Sequence, residues 1–273
     1  MTSTPNHERP QALYDPSGVQ PAYQLRFSWT GWPSSGEFKN TSAHLLQSTK
    51  PLWESDGLRL LEHRWTTEQI QLLFSARPPI SPSLLAARAK GRLDHALRTA
   101  NLTEDFSRKV AVRSVGENTR VDVEAYIQRQ VSKEHFVDRR FEAAMQEFTV
   151  LNPDIDLSAP VASARGRYWY NLHLVLVVEE RFRIADRATL ATIRDTCLRI
   201  ARKKGYAISR LSVMPDHLHV ALRGNPEHSP NEIVSAFQNN LAYAVGQKHL
   251  WEDTFYVGTF SEYDMDAVRR RVL

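Results

Sequence analysis

The sequence predicts an α+β fold in which two copies of one domain, each a mostly antiparallel sheet with helices on one face, form an intramolecular pseudo-twofold dimer. Three observations lead to this prediction. The length of 273 residues suggests two domains, at roughly 100–200 residues per domain. The same order of strand-like and helical segments occurs twice. A shift of 148 positions places Gly57 on Gly205 and Ser81-Pro82 on Ser229-Pro230, and such long-period self-similarity indicates a duplication.

Composition is that of an ordinary globular chain. Hydrophobic residues make up 42%, and 35 Lys+Arg against 31 Asp+Glu give a net charge of 35 − 31 = +4, which excludes a disordered or fibrous protein. No apolar run approaches the roughly 18 residues of a membrane span. The single cysteine, Cys197, excludes an internal disulfide and a cysteine-based zinc site, and we interpret it as a helix core residue. We expect a soluble, cytoplasmic protein with no membrane partner.

The first copy is predicted at 23–131, after a polar N-terminal tail at 1–22. A helix begins at Ser81-Pro82, because serine caps helices and proline is tolerated in their first turn. Thr119-x-x-Asp122 has the form of a capping box ahead of another helix. The predicted elements of this copy are strands at 23–32, 58–64, 69–74 and 110–115, and helices at 42–53, 81–100 and 120–131.

A linker predicted at 132–166 separates the first copy from a second one at 167–273. The continuous apolar run of Tyr168–Val178 predicts a buried strand. Next come a helix at 187–204, two further strands, and a helix that opens at Ser229-Pro230. The predicted strands of this copy are 168–178, 208–213, 218–222 and 255–260.

The segment M-P-D-H-L-H-V at 214–220 carries the strongest chemical signal. Because strand side chains alternate, His217 and His219 share one face while Leu218 and Val220 point to the core. Two neutral imidazoles side by side are able to hold one divalent metal ion. A polar pair without a ligand is the alternative interpretation, since the spacing alone is a weak signal.

This motif resembles the His-hydrophobe-His motif of the single-tyrosine transposases of bacterial insertion sequences, members of the HUH endonuclease superfamily. The resemblance covers nearly all of 168–273, including S-P-N-E-I-V and W-E-D-T-F-Y-V-G-T-F, and covers 23–130 more faintly. It implies that the two histidines bind Mg²⁺ or Mn²⁺ and that a tyrosine attacks a phosphodiester of single-stranded DNA. The family's tyrosine helix carries Y-I-x-x-Q, whose glutamine is the third metal ligand.

Each copy lacks one half of the site that this resemblance implies. In the second copy Arg271 stands where the tyrosine belongs. In the first copy the segment 121–130, V-D-V-E-A-Y-I-Q-R-Q, matches the tyrosine helix closely. There, however, Gln69 and Gln71 occupy the positions of the two histidines, which predicts a degenerate counterpart site.

The family is dimeric, and its tyrosine helix can dock against the histidines of the partner subunit. The resemblance therefore implies one composite site, with Tyr126 and Gln130 from the first copy and His217 and His219 from the second. The implied product is a 5′-phosphotyrosine bond with a free 3′-hydroxyl. Tyr126 and Gln130 are spaced i, i+4, so one helical face would present both.

The roles of several other residues have more than one interpretation. Tyr256 and Tyr263 are alternative nucleophiles, and His173 is interpreted as structural. Three basic clusters are candidate DNA contacts, and a charged solvated face is the alternative for each. These clusters are Arg88, Lys90 and Arg92; Arg202, Lys203 and Lys204; and Arg269, Arg270 and Arg271. Candidate stacking platforms for bases are Trp29, Trp32, Trp169 and Trp251, most of which we expect in the core.

Three functions remain to be separated. The leading hypothesis is a metal-dependent endonuclease and strand transferase acting on single-stranded DNA with hairpins at element ends, in the cytoplasm and associated with the nucleoid. We expect a monomeric pseudo-dimer that acts sequentially or pairs with a second molecule. The alternatives are a domesticated hairpin-binding protein for DNA or RNA that no longer cuts, and a metal phosphoesterase that uses water instead of tyrosine.

Overall fold

The computed structural model describes residues 12–15, 17–39, 43–102, 104–133, 139–263 and 265. The fold is a mixed α+β arrangement of two six-stranded sheets with helices. Its helices are α1 (Ala43–Ser55), α2 (Pro82–Thr99), α3 (Arg120–Gln128), α4 (Gln130–Lys133), α5 (Arg139–Gln146), α6 (Arg187–Lys204) and α7 (Pro230–Val245). Its strands are β1 (Gln20–Gln24), β2 (Arg26–Pro33), β3 (Leu58–Trp65), β4 (Ile70–Ala76), β5 (Phe106–Val115), β6 (Thr149–Leu151), β7 (Val161–Ala162), β8 (Gly166–Trp169), β9 (Asn171–Val178), β10 (Ala207–Val213), β11 (His217–Arg223) and β12 (Trp251–Thr259).

The two sheets repeat one order of elements. The first sheet has the strand order β3-β4-β2-β5-β8-β7, and the second has β1-β12-β9-β11-β10-β6. In each, four mainly antiparallel strands lie in the spatial order 2-3-1-4, counted along the chain from β2 or from β9. A helix follows the first of these strands and another follows the third, in both sheets. A parallel strand flanks the fourth: β8 beside β5, and β1 beside β12.

Two strand-like segments cross from one sheet to the other. β1 lies in the second sheet and leads through buried Leu25 into β2 of the first. β8 lies in the first sheet and leads through buried Tyr170 into β9 of the second. The predicted single strands at 23–32 and 168–178 are therefore each two strands. The break occurs because the backbone changes hydrogen-bonding partners at the crossing.

A buried hydroxyl joins the two sheets at one crossing. The Ser114 hydroxyl accepts a hydrogen bond from the backbone N–H of Asn171 at 3.0 Å. It also lies 3.0 Å from the carbonyl oxygen of Trp169 and 2.9 Å from that of Phe260, to which it donates. One side chain of the first sheet thus satisfies backbone groups at the crossing and at the end of the second sheet.

Thr259 repeats this arrangement at the other crossing. Its hydroxyl accepts from the backbone N–H of Arg26 at 2.9 Å and lies 3.1 Å and 2.6 Å from the carbonyl oxygens of Gln24 and Val115. The sheets approach closely here, because a Cβ on Gly116 would lie 2.3 Å from the Thr259 carbonyl oxygen. Equivalent hydroxyls therefore fasten the two sheets from both sides.

The predicted helix starts are confirmed. The Ser81 side chain accepts from the Leu84 N–H at the start of α2, with Pro82 in the first turn. Ser229 and Glu232 form a capping box at the start of α7. The predicted helix at 187–204 has the same bounds as α6. It ends at Gly205, which adopts φ 72°. Within the described ranges, no helix has the length and apolar character needed to cross a membrane.

The predicted tail and linker need correction. β1 begins at Gln20, and Tyr14 is buried, with its hydroxyl accepting from the Trp251 N–H at 2.7 Å. The described part of 12–22 is therefore packed on the second sheet and is no free tail. The segment 132–166 contains α5, β6 and β7, and β6 pairs antiparallel with β10. This connection extends the second sheet because β10 would otherwise leave its outer backbone groups unpaired.

Candidate functional site

Helix α3 belongs to the first half of the chain but lies on the second sheet. Leu218 and Val220 of β11 face the main core, whereas Ala221 points to the opposite face. On that face Val123 and Ile127 of α3 form a buried cluster with Ala221, and Leu157 and Phe260 complete it. Val123 and Ile127 are spaced i, i+4, so the apolar side of α3 fixes which of its residues point toward β9 and β11.

The connecting segment also fastens α3. Arg120 pairs with Asp156 at 3.3 Å, and Glu124 lies 3.9 Å from Arg210 of β10. At the first turn, Thr119 accepts from the Asp122 N–H and Asp122 accepts from the Thr119 N–H, which confirms the predicted capping box. The helix is thus capped, paired and packed on the second sheet.

Ile127→Ala is expected to loosen this docking. Ile127 is fully buried, and removal of such a side chain lowers the free energy of unfolding by about 2–5 kcal/mol. Urea denaturation should show this loss, while Val121→Ala on the same helix, where the side chain is 67% exposed, should change stability by less than about 0.5 kcal/mol. Equal stability of the two variants would contradict the role of the cluster.

Three histidines lie together on this face of the second sheet. His217 and His219 point to the same side of β11, as predicted, with ring centroids 5.0 Å apart. His173 of β9 stacks on His219 at 5.3 Å with an interplanar angle of 22°. Its Nε2 lies 3.1 Å from Nδ1 of His219. His173 therefore contacts a predicted metal ligand and holds its ring.

Both predicted ligand histidines use Nδ1 for hydrogen bonding. Nδ1 of His217 lies 2.7 Å from Oδ1 of Asp216, and Nδ1 of His219 lies against His173. The second oxygen of Asp216 lies 3.4 Å from Nη1 of Arg181. The Asp216 carboxylate accepts from Nδ1 of His217, which leaves Nε2 of that ring as the ligand atom. Nε2 of His219 is the ligand atom in the tautomer in which Nδ1 donates to His173.

Burial keeps His173 and His219 uncharged. Desolvation lowers the pKa of His173 to about 4. Desolvation also lowers the pKa of His219 to about 2, with smaller contributions from electrostatic repulsion by the neighbouring His173, His217 and Lys133 side chains. His173 and His219 are consequently neutral near pH 7, which is the state in which an imidazole binds metal.

Tyr126 and Gln130 lie beside the histidines. The Tyr126 ring is 5.4 Å from that of His219, and its side chain is 39% exposed. The Lys133 ammonium lies 3.9 Å from the centroid of the same ring. Gln130 is buried, and its Nε2 donates to the Tyr126 carbonyl oxygen at 2.9 Å. The predicted helix at 120–131 is in fact α3 and α4, separated at Arg129, yet both side chains reach the same place.

These groups line one open cleft of about 840 Å³. Its walls come from α3 and α4 on one side and from β9, β11 and β12 on the other. Tyr256, a rival nucleophile, also lines it, with its ring 5.7 Å from that of His173, and burial raises the pKa of its hydroxyl. Tyr263, the other rival, lies near Arg113 and does not line this cleft.

The counterpart position on the first sheet holds glutamines. Gln71 pairs with Thr30 of β2 in the way that His219 pairs with Val175 of β9, and Gln69 precedes β4. Met265 packs there on the first sheet, and the segment 266–273, with Arg269, Arg270 and Arg271, lies outside the described residues. The proposed degeneracy of this position stays a prediction.

The other two basic clusters that are predicted to contact DNA differ in their surroundings. Arg92 binds both carboxylate oxygens of Asp56, Arg88 donates to the Asp56 carbonyl oxygen, and Lys90 donates to that of Ser107 at 2.9 Å. These three side chains thus stabilise the first half. The exposed side chains in the last turn of α6 are Arg202, Lys203 and Lys204. Their contact with DNA stays a prediction.

Two of the four tryptophans proposed as platforms are excluded. Trp29 and Trp251 are buried and cannot stack on a base, which agrees with the expected core positions. Trp169 is half-buried under the Arg113 guanidinium, 4.1 Å from its ring centroid. Cys197 is buried in α6, as predicted.

Sequence reasoning missed Asp216, Arg181 and Lys133. Asp216 had a local signal, because it precedes His217 in the motif and its side chain bonds that ring. No local sequence signal points to Arg181, because its loop is remote in sequence from both β11 and α3. Lys133 lies three residues beyond Gln130, a helical spacing that places the two on neighbouring turns.

The second half of the chain is similar in sequence to known transposases. Residues 167–272 match the family model described as "Transposase IS200 like". The chain is 28% identical over 127 residues to the ISDra2 transposase TnpA of Deinococcus radiodurans, covering 41% of this chain and 91% of that protein.

Two solved structures are similar to parts of the chain. A Deinococcus radiodurans R1 protein described as a transposase is 22% identical and has a TM-score of 0.32, covering 37% of this chain and 87% of that one. A REP-associated tyrosine transposase bound to a REP hairpin is 16% identical with a TM-score of 0.30, covering 38% and 62%. These sequence matches support an HUH-type transposase, and the similarity to IS200-like transposases lies in residues 167–272.

Proposed function

We propose that the chain is a metal-dependent endonuclease and strand transferase for single-stranded DNA, with Tyr126 as the nucleophile of one composite site. The observation that carries the proposal is the 5.4 Å separation between the rings of Tyr126 and His219. The tyrosine comes from the half without the histidine pair, and the histidines come from the half that matches the transposase family.

The proposal includes an internal duplication, in which each half is an HUH-type domain and the chain is a pseudo-dimer. Two features support it: the 2-3-1-4 strand order in both sheets, and the matching hydrogen bonds of Ser114 and Thr259. A chain that carries both subunits of a dimer needs only one intact site, and the other can lose its ligands.

The residues present fit a divalent metal ion. Within the described ranges, no group of three or more His, Cys, Asp or Glu side chains has an arrangement that could hold a metal ion, so these residue types alone do not complete a site. His217 and His219 offer Nε2, and Gln130 offers its amide oxygen because its Nε2 already donates to Tyr126. A bound Mg²⁺ or Mn²⁺ would supply Lewis-acid polarisation of the scissile phosphate.

The chain's own groups position the reaction. The Tyr126 hydroxyl oxygen attacks the phosphorus, a new O–P bond forms, and the bond to the 3′ oxygen breaks, so that the strand ends as a 5′-phosphotyrosine and a free 3′-hydroxyl. The phenolic proton is lost to solvent, and the departing 3′ oxygen takes one up. Lys133 holds the ring by a cation–π contact, and Gln130 ties the helix backbone beside it.

Covalent capture tests this proposal. We expect the chain, incubated with Mn²⁺ or Mg²⁺ and 3′-labelled single-stranded hairpin DNA, to give a labelled band that survives denaturation, because the downstream strand stays on Tyr126. The same strand labelled at its 5′ end should release a free fragment. EDTA should abolish the covalent band and leave hairpin binding measurable by anisotropy.

The two other functions predict different results in the same assay. A hairpin-binding protein that no longer cuts would bind the DNA and give neither band nor fragment. A metal phosphoesterase that uses water would release fragments without a covalent band. Either result would overturn the proposed use of tyrosine.

One composite site cleaves one strand at a time. We propose that the chain handles the two ends of an element in sequence or pairs with a second molecule, with single-stranded hairpin DNA as its partner at the nucleoid. The solved REP-associated relative is bound to a hairpin, which favours this class of ligand.

A further inference from the structure

Arg181 adopts a backbone conformation that L residues rarely take. It lies between β9 and α6, with φ 53°, directly after Glu180 at φ 51°. The corresponding loop of the first sheet, between β2 and α1, also contains a left-handed residue, and there it is Gly36 at φ 60°. The residue with positive φ is thus a glycine in the first half, where no histidine pair lies beside it, and an arginine in the second half, beside His217.

The Arg181 side chain lines the cleft together with Tyr126 and the histidines. It is 68% exposed and reaches Asp216 only at 3.4 Å, whereas the other oxygen of Asp216 holds His217 at 2.7 Å. Such an exposed ion pair adds little to stability. Its guanidinium can thus turn from Asp216 to a ligand without disturbing the contact that orients His217.

Among the described residues, Arg129 lines the helix side of the cleft and Lys133 lies next to it on α4. Arg129 donates from Nε to the Ala125 carbonyl oxygen, and the Lys133 ammonium lies over the Tyr126 ring. Of the cleft-lining residues that the structure describes, Arg181 is the one with a positive charge on the histidine side. A DNA strand that runs between α3 and β11 would therefore meet positive charge on both walls.

Resting on the proposed function, we propose that Arg181 is a positioning residue that binds a non-bridging oxygen of a backbone phosphate and so aligns the scissile bond with Tyr126. The planar fork of a guanidinium matches two oxygens of a phosphate, which a single ammonium cannot do. The substrate group recognised is the phosphodiester anion of single-stranded DNA and not a base.

Arg181→Gln removes the positive charge of the side chain. Arg181→Gly removes the side chain and tests whether the positive φ at this position affects stability. We expect Arg181→Gln to slow formation of the covalent adduct by about 100-fold, since small misalignment of a reacting group costs that much. Arg181→Gly should lose the same activity while its melting temperature stays equal to or above that of the parent, because glycine suits a positive φ. Arg187→Gln, which removes an exposed arginine of α6 paired with Glu147, is the control that should retain full activity.

Neutral phosphates identify the contact. In a series of substrates with one methylphosphonate near the cleavage site, we expect one position at which the parent and Arg181→Gln react at the same rate, because the charge that arginine binds is gone. At all other positions the 100-fold difference should persist. A difference of equal size at every position, or no slowing at all by Arg181→Gln, would overturn the proposal.

A binding measurement separates this inference from the proposed function. The affinity for single-stranded DNA should fall about 10-fold in Arg181→Gln, and its slope against log salt should decrease by about 0.7, the value for one phosphate contact. A parent chain that forms no adduct, with these binding changes present, would reject the tyrosine chemistry and keep the Arg181 contact. Normal adduct formation and unchanged DNA binding in Arg181→Gln would reject the Arg181 contact and keep the tyrosine chemistry.

Discussion

Tyr126→Phe is expected to abolish the covalent protein–DNA band, with a loss of about 10³-fold or more, because the substitution removes the attacking oxygen and little else. The ring packs beside His219 and under Lys133 through its face and edges, and phenylalanine keeps those contacts. Binding of hairpin DNA should therefore remain, and the melting temperature should be unchanged. The measurement is the rate of adduct formation with 3′-labelled DNA.

Tyrosine variants elsewhere show whether the loss is specific. Tyr256 is the serious rival because it lines the same cleft, although burial raises the pKa of its hydroxyl and disfavours the nucleophilic phenolate. We expect Tyr256→Phe and Tyr263→Phe to form the adduct. Adduct formation by Tyr126→Phe together with its loss in Tyr256→Phe would move the nucleophile to β12.

Helix starts and strand faces could be predicted because their signals are local. Ser81-Pro82 and Ser229-Pro230 each place a cap and a tolerated proline within two residues, and α2 and α7 begin there. His217 and His219 share a face because strand side chains alternate, which needs no knowledge of the rest of the fold. The proximity of Tyr126 to His219 needed the resemblance, since 93 positions separate them in the chain.

Other features depend on contacts between distant segments. The apolar runs at 23–32 and 168–178 look continuous, and only the exchange between sheets at Leu25 and Tyr170 divides each into two strands. The sequence predicts a structural role for His173, but its hydrogen bond to His219 follows from the pairing of β9 with β11. The connection at 132–166 looks like a linker because its polar composition hides the short strand that covers β10.

A mixture of two inactive chains should test whether the site belongs to one molecule. We expect Tyr126→Phe and His217→Ala chains, each without adduct formation alone, to stay inactive when combined at equal concentration. The reason is that α3 is held on the second sheet of its own chain, by Leu157 in the buried cluster and by the pair of Arg120 with Asp156. An intact tyrosine and an intact histidine pair would then remain on separate molecules.

In a dimer built from separate subunits, the same mixture would regain activity in the fraction of sites that combine the intact tyrosine of one chain with the intact histidines of the other. Activity that rises as one inactive chain is titrated into the other would therefore contradict an intramolecular site. The control is parent chain mixed with an excess of Tyr126→Phe chain, which should keep its own rate of adduct formation when DNA is saturating. A mixture that stays inactive would therefore support the proposal that fusion of two subunits replaces their association as the means of assembling the cleft.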